Sequence, residues 1–111
     1  MRQRRVADFV DAEVESLLDA GDDAAPSLAE VARRLRVSQR TLVRKLGRRG
    51  ASYRRLRDGH RRRRAAELLA GTSLSVAEIA ERLGYDEPTN FARACRRWFG
   101  VSPRAYRGRA S

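Results

Sequence analysis

The most informative stretch of the sequence is Ser75–Phe99, SVAEIAERLGYDEPTNFARACRRWF. Its first half predicts a short helix followed by a tight turn. Ser75 and Glu78 have the S-x-x-E spacing of a capping box, which begins a helix. Apolar residues then recur at helical spacing as far as Leu83. Gly84 ends this helix, because glycine adopts the left-handed backbone that follows a helix C-terminus.

The second half of the stretch predicts another helix with one apolar side. Asp86 or Glu87 can cap it, and Pro88 suits its first turn. Its apolar residues are Phe91, Cys95, Trp98 and Phe99. Two short helices joined by a glycine turn are typical of a helix-turn-helix, although a packed helical hairpin that binds nothing has the same pattern.

An internal repeat favours the helix-turn-helix. Ser27–Leu35 is SLAEVARRL and Ser75–Leu83 is SVAEIAERL, so six of nine positions are identical and two more exchange similar apolar residues. Ser27 and Glu30 repeat the capping box, and Ser38 can cap the helix after the turn. One extra turn residue in the second copy then aligns Leu42, Arg44 and Leu46 with Phe91, Arg93 and Cys95. We interpret the chain as two helix-turn-helix units in tandem.

The rest of the chain reads as helices around these units. Residues 4–19 predict an amphipathic scaffold helix whose inward side comprises Val6, Phe9, Val10, Val14, Leu17 and Leu18. Ser52–Ala70 predicts a connecting helix capped by Gly71, although Gly59 in its interior weakens it. At about 28 Å, this helix is close to the roughly 34 Å between successive major grooves on one face of a duplex. Ser102–Tyr106 predicts a last short helix, followed by a frayed tail.

Charge is distributed unevenly along the chain. The 111 residues carry a net charge of +11. Residues 1–32 hold three basic and eight acidic side chains, whereas residues 33–111 hold 22 basic and six acidic ones. The basic residues are arginines except for Lys45, and arginine suits phosphates and guanine edges. This segregation indicates a polyanionic partner, most often nucleic acid. A membrane surface is the rival, but no segment combines a large apolar face with a basic one.

Several kinds of site and segment are not indicated by the sequence. A single cysteine excludes an internal disulfide and a multi-cysteine zinc site. Cys95 is expected in the core rather than as a nucleophile, and His60 is not expected to bind metal or catalyse a reaction. We find no catalytic constellation, cofactor motif or small-molecule pocket. Met1 leads into RQRR without an apolar run, so we expect no signal peptide and a cytoplasmic, nucleoid-associated location.

Three segments together resemble the DNA-binding domain of the AraC/XylS family of bacterial transcription regulators: Ser27–Leu46, Arg61–Leu69 and Ser75–Tyr106. The most specific segment is IAERLGYDEPTNFARACRRWFGVSPRAYR, residues 79–107. The resemblance implies an all-α, homeodomain-like fold of seven helices, with two helix-turn-helix subdomains bridged by a long helix. We place the subdomains at 1–50 and 71–111 and the linker helix at 51–70. The pair Arg97-Trp98 resembles a feature of one subgroup of the family, in which a larger N-terminal sensor domain precedes the DNA-binding domain.

The resemblance also implies which residues contact DNA, since the second helix of each unit would enter a major groove. The implied base contacts are Arg40, Thr41, Val43 and Arg44 in the first unit and Thr89, Asn90 and Arg93 in the second. Arg40 and Arg44 lie one helical turn apart, and each could donate two hydrogen bonds to O6 and N7 of a guanine. Asn90 suits an adenine edge, Thr89 could meet a thymine methyl group, and Val43 could make only apolar contact. The alternative for each arginine is a phosphate contact, which positions without specifying.

Phosphate contacts are predicted at more scattered positions. The candidates are Ser38, Gln39, Lys45, Arg48, Arg49, Arg61, Ser75, Arg96, Arg97 and Arg104. The run Arg61–Arg64 cannot face DNA as a whole, because four consecutive helical residues point around the helix. One of its members, Arg63, could instead pair with Glu67.

Three residues depart from the family pattern. Arg36 stands where a glycine is common in the first turn, so that turn should be strained or differently shaped. Cys95 stands in place of a phenylalanine and leaves a smaller core side chain. Arg62 falls where the linker helix often has an apolar residue.

The leading hypothesis is sequence-specific binding of double-stranded DNA for transcription control, without enzymatic activity. The domain is expected to be a monomer, and RNA polymerase is a further candidate partner. One alternative is a DNA-targeting module of a larger DNA-repair or sensor protein. Another is a basic domain that binds RNA or the chromosome non-specifically, or a protein-interaction domain. Few aromatic residues are available for stacking on single strands, which counts against RNA.

Overall fold

A computed structural model describes residues 9–110, and regular structure in this range is helical throughout. The seven helices are α1 Val10–Ala20, α2 Leu28–Arg34, α3 Gln39–Arg48, α4 Tyr53–Gly71, α5 Val76–Arg82, α6 Pro88–Phe99 and α7 Pro103–Ala110. The predicted all-α fold of seven helices is confirmed. Residues 4–8 of the predicted first helix, including Val6, lie outside the described residues.

The chain divides into two compact units at the bond between His60 and Arg61, within α4. Unit 1 contains α1, α2, α3 and the beginning of α4, and unit 2 contains the end of α4 with α5, α6 and α7. Helix α4 continues through Gly59 without a break. The glycine therefore costs the helix about 1 kcal/mol relative to alanine, but it does not interrupt it. Each unit holds one copy of the internal repeat.

The core of unit 1 is formed by one side of each of its helices. Its buried apolar members are Val10, Val14, Leu18, Val31, Ala32, Leu42, Leu46 and Tyr53. The inward positions predicted at Val10, Val14 and Leu18 are therefore confirmed, whereas Leu17 is half-buried outside this core and Phe9 is 49% exposed. Phe9 precedes α1, where the helical pattern no longer applies, and its ring lies 5.1 Å from the guanidinium carbon of Arg49.

His60 is a buried polar residue of this unit, a role that was not predicted from the sequence. Its side chain is 1% exposed, and Nδ1 lies 3.3 Å from Oδ1 of Asp19. Nε2 is buried and has no hydrogen-bond partner among residues 9–110. Asp19 lies near the end of α1, so its contact with His60 links α1 to α4.

The core of unit 2 surrounds Phe91 of α6. The buried members are Ala65, Leu68, Leu69, Ile79, Ala80, Leu83, Phe91 and Cys95. The ring of Tyr85 lies 5.5 Å from that of Phe91, and the Phe99 and Tyr106 rings stack at 4.3 Å. The predicted core role of Cys95 is confirmed, and burial raises the pKa of its thiol to about 12.

Serine caps begin the helices of both repeats, but only the second repeat has a complete capping box. Ser75 Oγ accepts from the Glu78 N–H at 3.0 Å, and Glu78 Oε1 accepts from the Ser75 N–H at 2.8 Å. The latter bond holds the pKa of Glu78 below its ordinary value. Ser27 also accepts from the Glu30 N–H, at 3.1 Å. Glu30, however, forms ion pairs with the arginines at positions 33 and 34, so the prediction of a full box there was wrong.

Replacing Ser75 with alanine is expected to lower the free energy of unfolding by about 1 kcal/mol, because the Glu78 N–H loses its acceptor. Urea unfolding followed by fluorescence of Trp98, the single tryptophan, measures this change in unit 2. Glu78→Gln is the matched control, since glutamine can still accept from the Ser75 N–H. An unchanged unfolding midpoint for Ser75→Ala would contradict the importance of the cap.

The turns of the two repeats share one backbone geometry. The Val37 N–H donates to the Ala32 carbonyl at 3.0 Å, and the Tyr85 N–H donates to the Ala80 carbonyl at 2.9 Å. Arg36 has φ +62° and Gly84 has φ +90°, and Arg36 is the one non-glycine with positive φ among the described residues. The predicted strain at Arg36 is confirmed, at a cost of about 1–2 kcal/mol for a residue with a Cβ. The turn is strained without being differently shaped.

Three predictions about helix ends were wrong. Glu87 occupies the position before α6, but its side chain makes no cap hydrogen bond, and Pro88 fills the first turn instead. Gly71 is the last residue of α4 and has no positive φ, so it is not a left-handed cap. Helix α7 continues to Ala110 rather than fraying after Tyr106.

Candidate nucleic-acid interface

Helix α3 presents a basic outer face in unit 1. Leu42 and Leu46 are buried, at 0% and 1% exposed, so the residues between them point away from the core. Arg40 and Arg44 are exposed, and neither forms a hydrogen bond or ion pair with another described residue. Val43 is 53% exposed, which is unusual for a large apolar side chain. This face offers two guanidinium forks and an apolar surface to a partner.

The beginning of α3 is held by two side-chain hydrogen bonds. Ser38 Oγ accepts from the Thr41 N–H at 3.0 Å and lies 2.9 Å from Thr41 Oγ1, to which it can donate. These bonds fix the Thr41 hydroxyl at the start of the helix. The Ser38 hydroxyl is therefore engaged within the cap, and any phosphate contact at this position would be made by the free backbone N–H groups of the first turn.

Helix α6 presents the corresponding face in unit 2. Phe91, Ala94 and Cys95 are buried, and Thr89, Asn90 and Arg93 are exposed on the other side. Arg93 Nη1 donates to Asn90 Oδ1 at 3.4 Å. The Asn90 amide keeps its two N–H donors and the second lone pair of its oxygen for a partner. The predicted contact of Asn90 with an adenine edge stays a prediction.

Four of the predicted phosphate-contacting residues also have partners within the chain. Arg49 Nε donates to Asp11 Oδ1 at 2.9 Å, and this bond lowers the pKa of the Asp11 carboxyl. Arg61 Nε donates to the Leu83 carbonyl at 3.1 Å, and its guanidinium carbon lies 4.4 Å from the Tyr85 ring centre. The other two are Arg97, whose guanidinium lies over Trp98, and Ser75, which belongs to its capping box. These contacts within the chain were not predicted from the sequence, which assigned the four residues to phosphates.

The remaining phosphate candidates lie at or near the surface. Gln39, Arg48, Arg96 and Arg104 are exposed, and Lys45 is half-buried. In the run Arg61–Arg64 on α4, Arg64 forms an ion pair with Glu67. The predicted pair of Arg63 with Glu67 stays a prediction. Among residues 9–110, no three metal-ligating side chains cluster, and no helix is long and apolar enough to cross a membrane.

Two features of unit 2 were not foreseen from the sequence. Arg107 Nε donates to the Leu69 carbonyl at 3.0 Å, which ties α7 to the end of α4. An open groove of about 440 Å³ is lined by Arg62, Trp98, Phe99, Tyr106, Arg109 and Ala110. The helical spacing of the aromatic residues carried a signal for this groove, but the position of α7, which completes it, depends on tertiary contacts.

The chain is similar to known transcription regulators over most of its length. A family model described as a helix-turn-helix domain matches residues 31–109. The HTH-type transcriptional regulator VqsM of Pseudomonas aeruginosa is 40% identical over 94 residues, which cover 85% of this chain and 29% of that protein. This chain therefore spans less than a third of that relative's length.

Solved structures share the fold. The transcriptional regulator CdpR from Pseudomonas aeruginosa matches with a TM-score of 0.82 at 42% identity, over 88% of this chain and 31% of that one. The DNA-binding domain of AdpA, a global transcriptional factor solved in complex with a target DNA, matches with a TM-score of 0.73 at 30% identity, over 89% of this chain and 90% of that domain. With its tandem helix-turn-helix units, the chain belongs to the AraC-type helix-turn-helix family of transcription regulators.

Proposed function

We propose that this chain is the part of a transcription regulator that binds double-stranded DNA in a sequence-specific manner, with α3 and α6 each entering a major groove. The observation that carries the proposal is the shared construction of the two helices. Each has a buried apolar side and an exposed polar side, which holds Arg40, Val43 and Arg44 on α3 and Thr89, Asn90 and Arg93 on α6. The DNA-bound AdpA domain, which has the same fold, supports the proposal.

Specificity and affinity would come from different residues. Forked arginine contacts and the exposed Val43 supply direct base contacts, because guanine edges and thymine methyl groups are distinguishable in the major groove. The exposed phosphate candidates, Gln39, Arg48, Arg96 and Arg104, supply affinity that falls as salt rises. Arg49 and Arg61 fulfil structural roles as well, so their loss would affect folding as well as binding.

The other parts of the proposal concern the cellular setting. The chain acts by binding, without catalysis, as a monomeric domain in the cytoplasm, at the nucleoid. RNA polymerase is its further partner at promoters. The relatives named above are transcription regulators, and this favours regulation over a targeting role in DNA repair.

Selection of bound duplexes from a randomised pool tests the proposal. Two recognition helices in adjacent major grooves should give a motif of two blocks, with centres about 10–10.5 base pairs apart. The selected duplex should also withstand an excess of scrambled competitor. A single block, or equal binding to the scrambled duplex, would contradict the proposal.

A further inference from the structure

The turn of the first repeat contains a residue that the backbone disfavours. Arg36 and Gly84 occupy matching positions, and the Arg36 N–H donates to the Arg33 carbonyl at 3.1 Å, as the Gly84 N–H donates to the Glu81 carbonyl at 3.0 Å. Glycine adopts the positive φ of this turn freely, whereas a long side chain with a Cβ is strained there. Strain of this kind persists where the surrounding structure enforces it, and it is concentrated at functional sites.

The Arg36 side chain makes no contact within the described part of the chain that would offset the backbone strain. It is exposed, and it forms no hydrogen bond, ion pair or ring contact with residues 9–110. Its neighbours at positions 33 and 34 differ, because both are ion-paired with Glu30. Of the three arginines at the C-terminal end of α2, Arg36 is therefore the one whose guanidinium has no partner among residues 9–110.

The position of Arg36 places this charge beside the proposed interface. One residue separates Arg36 from Ser38, the N-cap of α3, so the two Cα atoms are at most about 7 Å apart. The uncommitted arginines Arg40 and Arg44 follow on the same helix. A guanidinium at this point extends the basic face of α3 beyond the helix and toward the phosphates that flank a groove, where arginine binds well.

We infer that Arg36 is a positioning residue that contacts a DNA phosphate beside the first recognition helix. This inference rests on the proposed DNA-binding function and adds a contact to it. The contact would set affinity and the register of α3 without choosing a base. The strained turn is then the cost of holding a charge where the second repeat has only Gly84.

Three variants of the 111-residue chain test the inference, and for Arg36→Gly the expected effects on stability and on binding have opposite signs. Arg36→Gly should raise the Tm by about 2–5 °C, since the strain is relieved. The same variant should bind DNA roughly tenfold more weakly, as expected for one lost charge-assisted hydrogen bond. Arg36→Asn should weaken binding equally, because asparagine tolerates positive φ but has no charge. Arg36→Lys, which keeps the charge, should retain most of the affinity.

The probes are a duplex of about 25 base pairs selected from a randomised pool, enough for two turns, and a scrambled version of it. For Arg36→Gly and Arg36→Asn, the loss should be equal on both duplexes. The slope of log K against log salt should become less steep by about 0.9, the value for one phosphate. A more stable Arg36→Gly with unchanged affinity and slope would overturn the inference. A loss confined to one base position would overturn the phosphate assignment.

The two proposals fail in distinguishable ways. The proposed function depends on the affinity ratio of the unmodified chain for the selected and scrambled duplexes. The Arg36 inference depends on the change in salt slope between the unmodified chain and Arg36→Gly, which can be measured on either duplex. A ratio of one contradicts the function, whereas an unchanged slope contradicts only the role of Arg36.

Discussion

Replacing Phe91 with alanine is expected to lower the free energy of unfolding of unit 2 by about 3–5 kcal/mol. Phe91 is 0% exposed and is the largest side chain in a core that already contains the small Cys95. The substitution removes the ring that contacts Tyr85 and leaves a cavity that cannot easily close. A loss of this size is a large part of the stability of a small domain.

Urea unfolding followed by Trp98 fluorescence measures this loss, since Trp98 lies on the same helix as Phe91. Val43→Ala is the control: it also truncates an apolar residue, but at a position that is 53% exposed, and it should change stability by no more than about 0.5 kcal/mol. A Phe91→Ala variant that unfolds at the unmodified midpoint would contradict the placement of Phe91 at the centre of this core.

Replacing Arg40 with alanine is expected to abolish discrimination at one base position of the selected duplex. One good bidentate contact is worth about 1–3 kcal/mol, which is roughly a 5- to 150-fold change in preference. The side chain is exposed and has no partner among the described residues, so its loss should leave folding intact. Arg93→Ala should act in the same way in the second block, where it also removes the hydrogen bond to Asn90.

Repeating the selection with each variant and comparing motifs position by position measures the effect. Arg62→Ala is the matched control, because Arg62 is an exposed arginine on α4, with its guanidinium 6.0 Å from the Phe99 ring centre. It should weaken binding to all duplexes slightly and equally. If the three variants lose affinity equally on random duplexes, α3 and α6 do not determine specificity.

The spacing of serine caps and apolar residues along the sequence was sufficient to predict most of the helices. The caps at Ser27, Ser38 and Ser75 depend on a serine and on backbone groups within the next three residues, so a short stretch of sequence specifies them. The strain at Arg36 was predicted from the family pattern, in which a glycine is common at this position, and the positive φ confirms it. The inward sides of the helices followed from periodicity.

Contacts between distant residues could not be predicted. Arg49 pairs with Asp11, 38 positions away, and His60 meets Asp19 across 41 positions. No local pattern marks such partners, because they depend on how the helices pack. Even a short-range prediction failed at Glu30. Its carboxylate pairs with the arginines at positions 33 and 34 and does not accept from the Ser27 N–H, so the capping box of the first repeat is incomplete. At the candidate site, the outward residues were predictable, but the bond between Arg93 and Asn90 was not.

The first repeat has an incomplete capping box at Ser27 and a strained turn at Arg36, and both affect the order in which the helices unfold. The second repeat has a complete box and a glycine at the same two places. Two copies of one motif thus differ in local stability, and the less stable copy carries the uncommitted arginines of α3. Thermal opening should therefore begin at α2 and its turn, whereas the Ser38 cap keeps the first turn of α3 intact. A loosened turn in front of an intact α3 would let this helix adjust its position as it meets a partner.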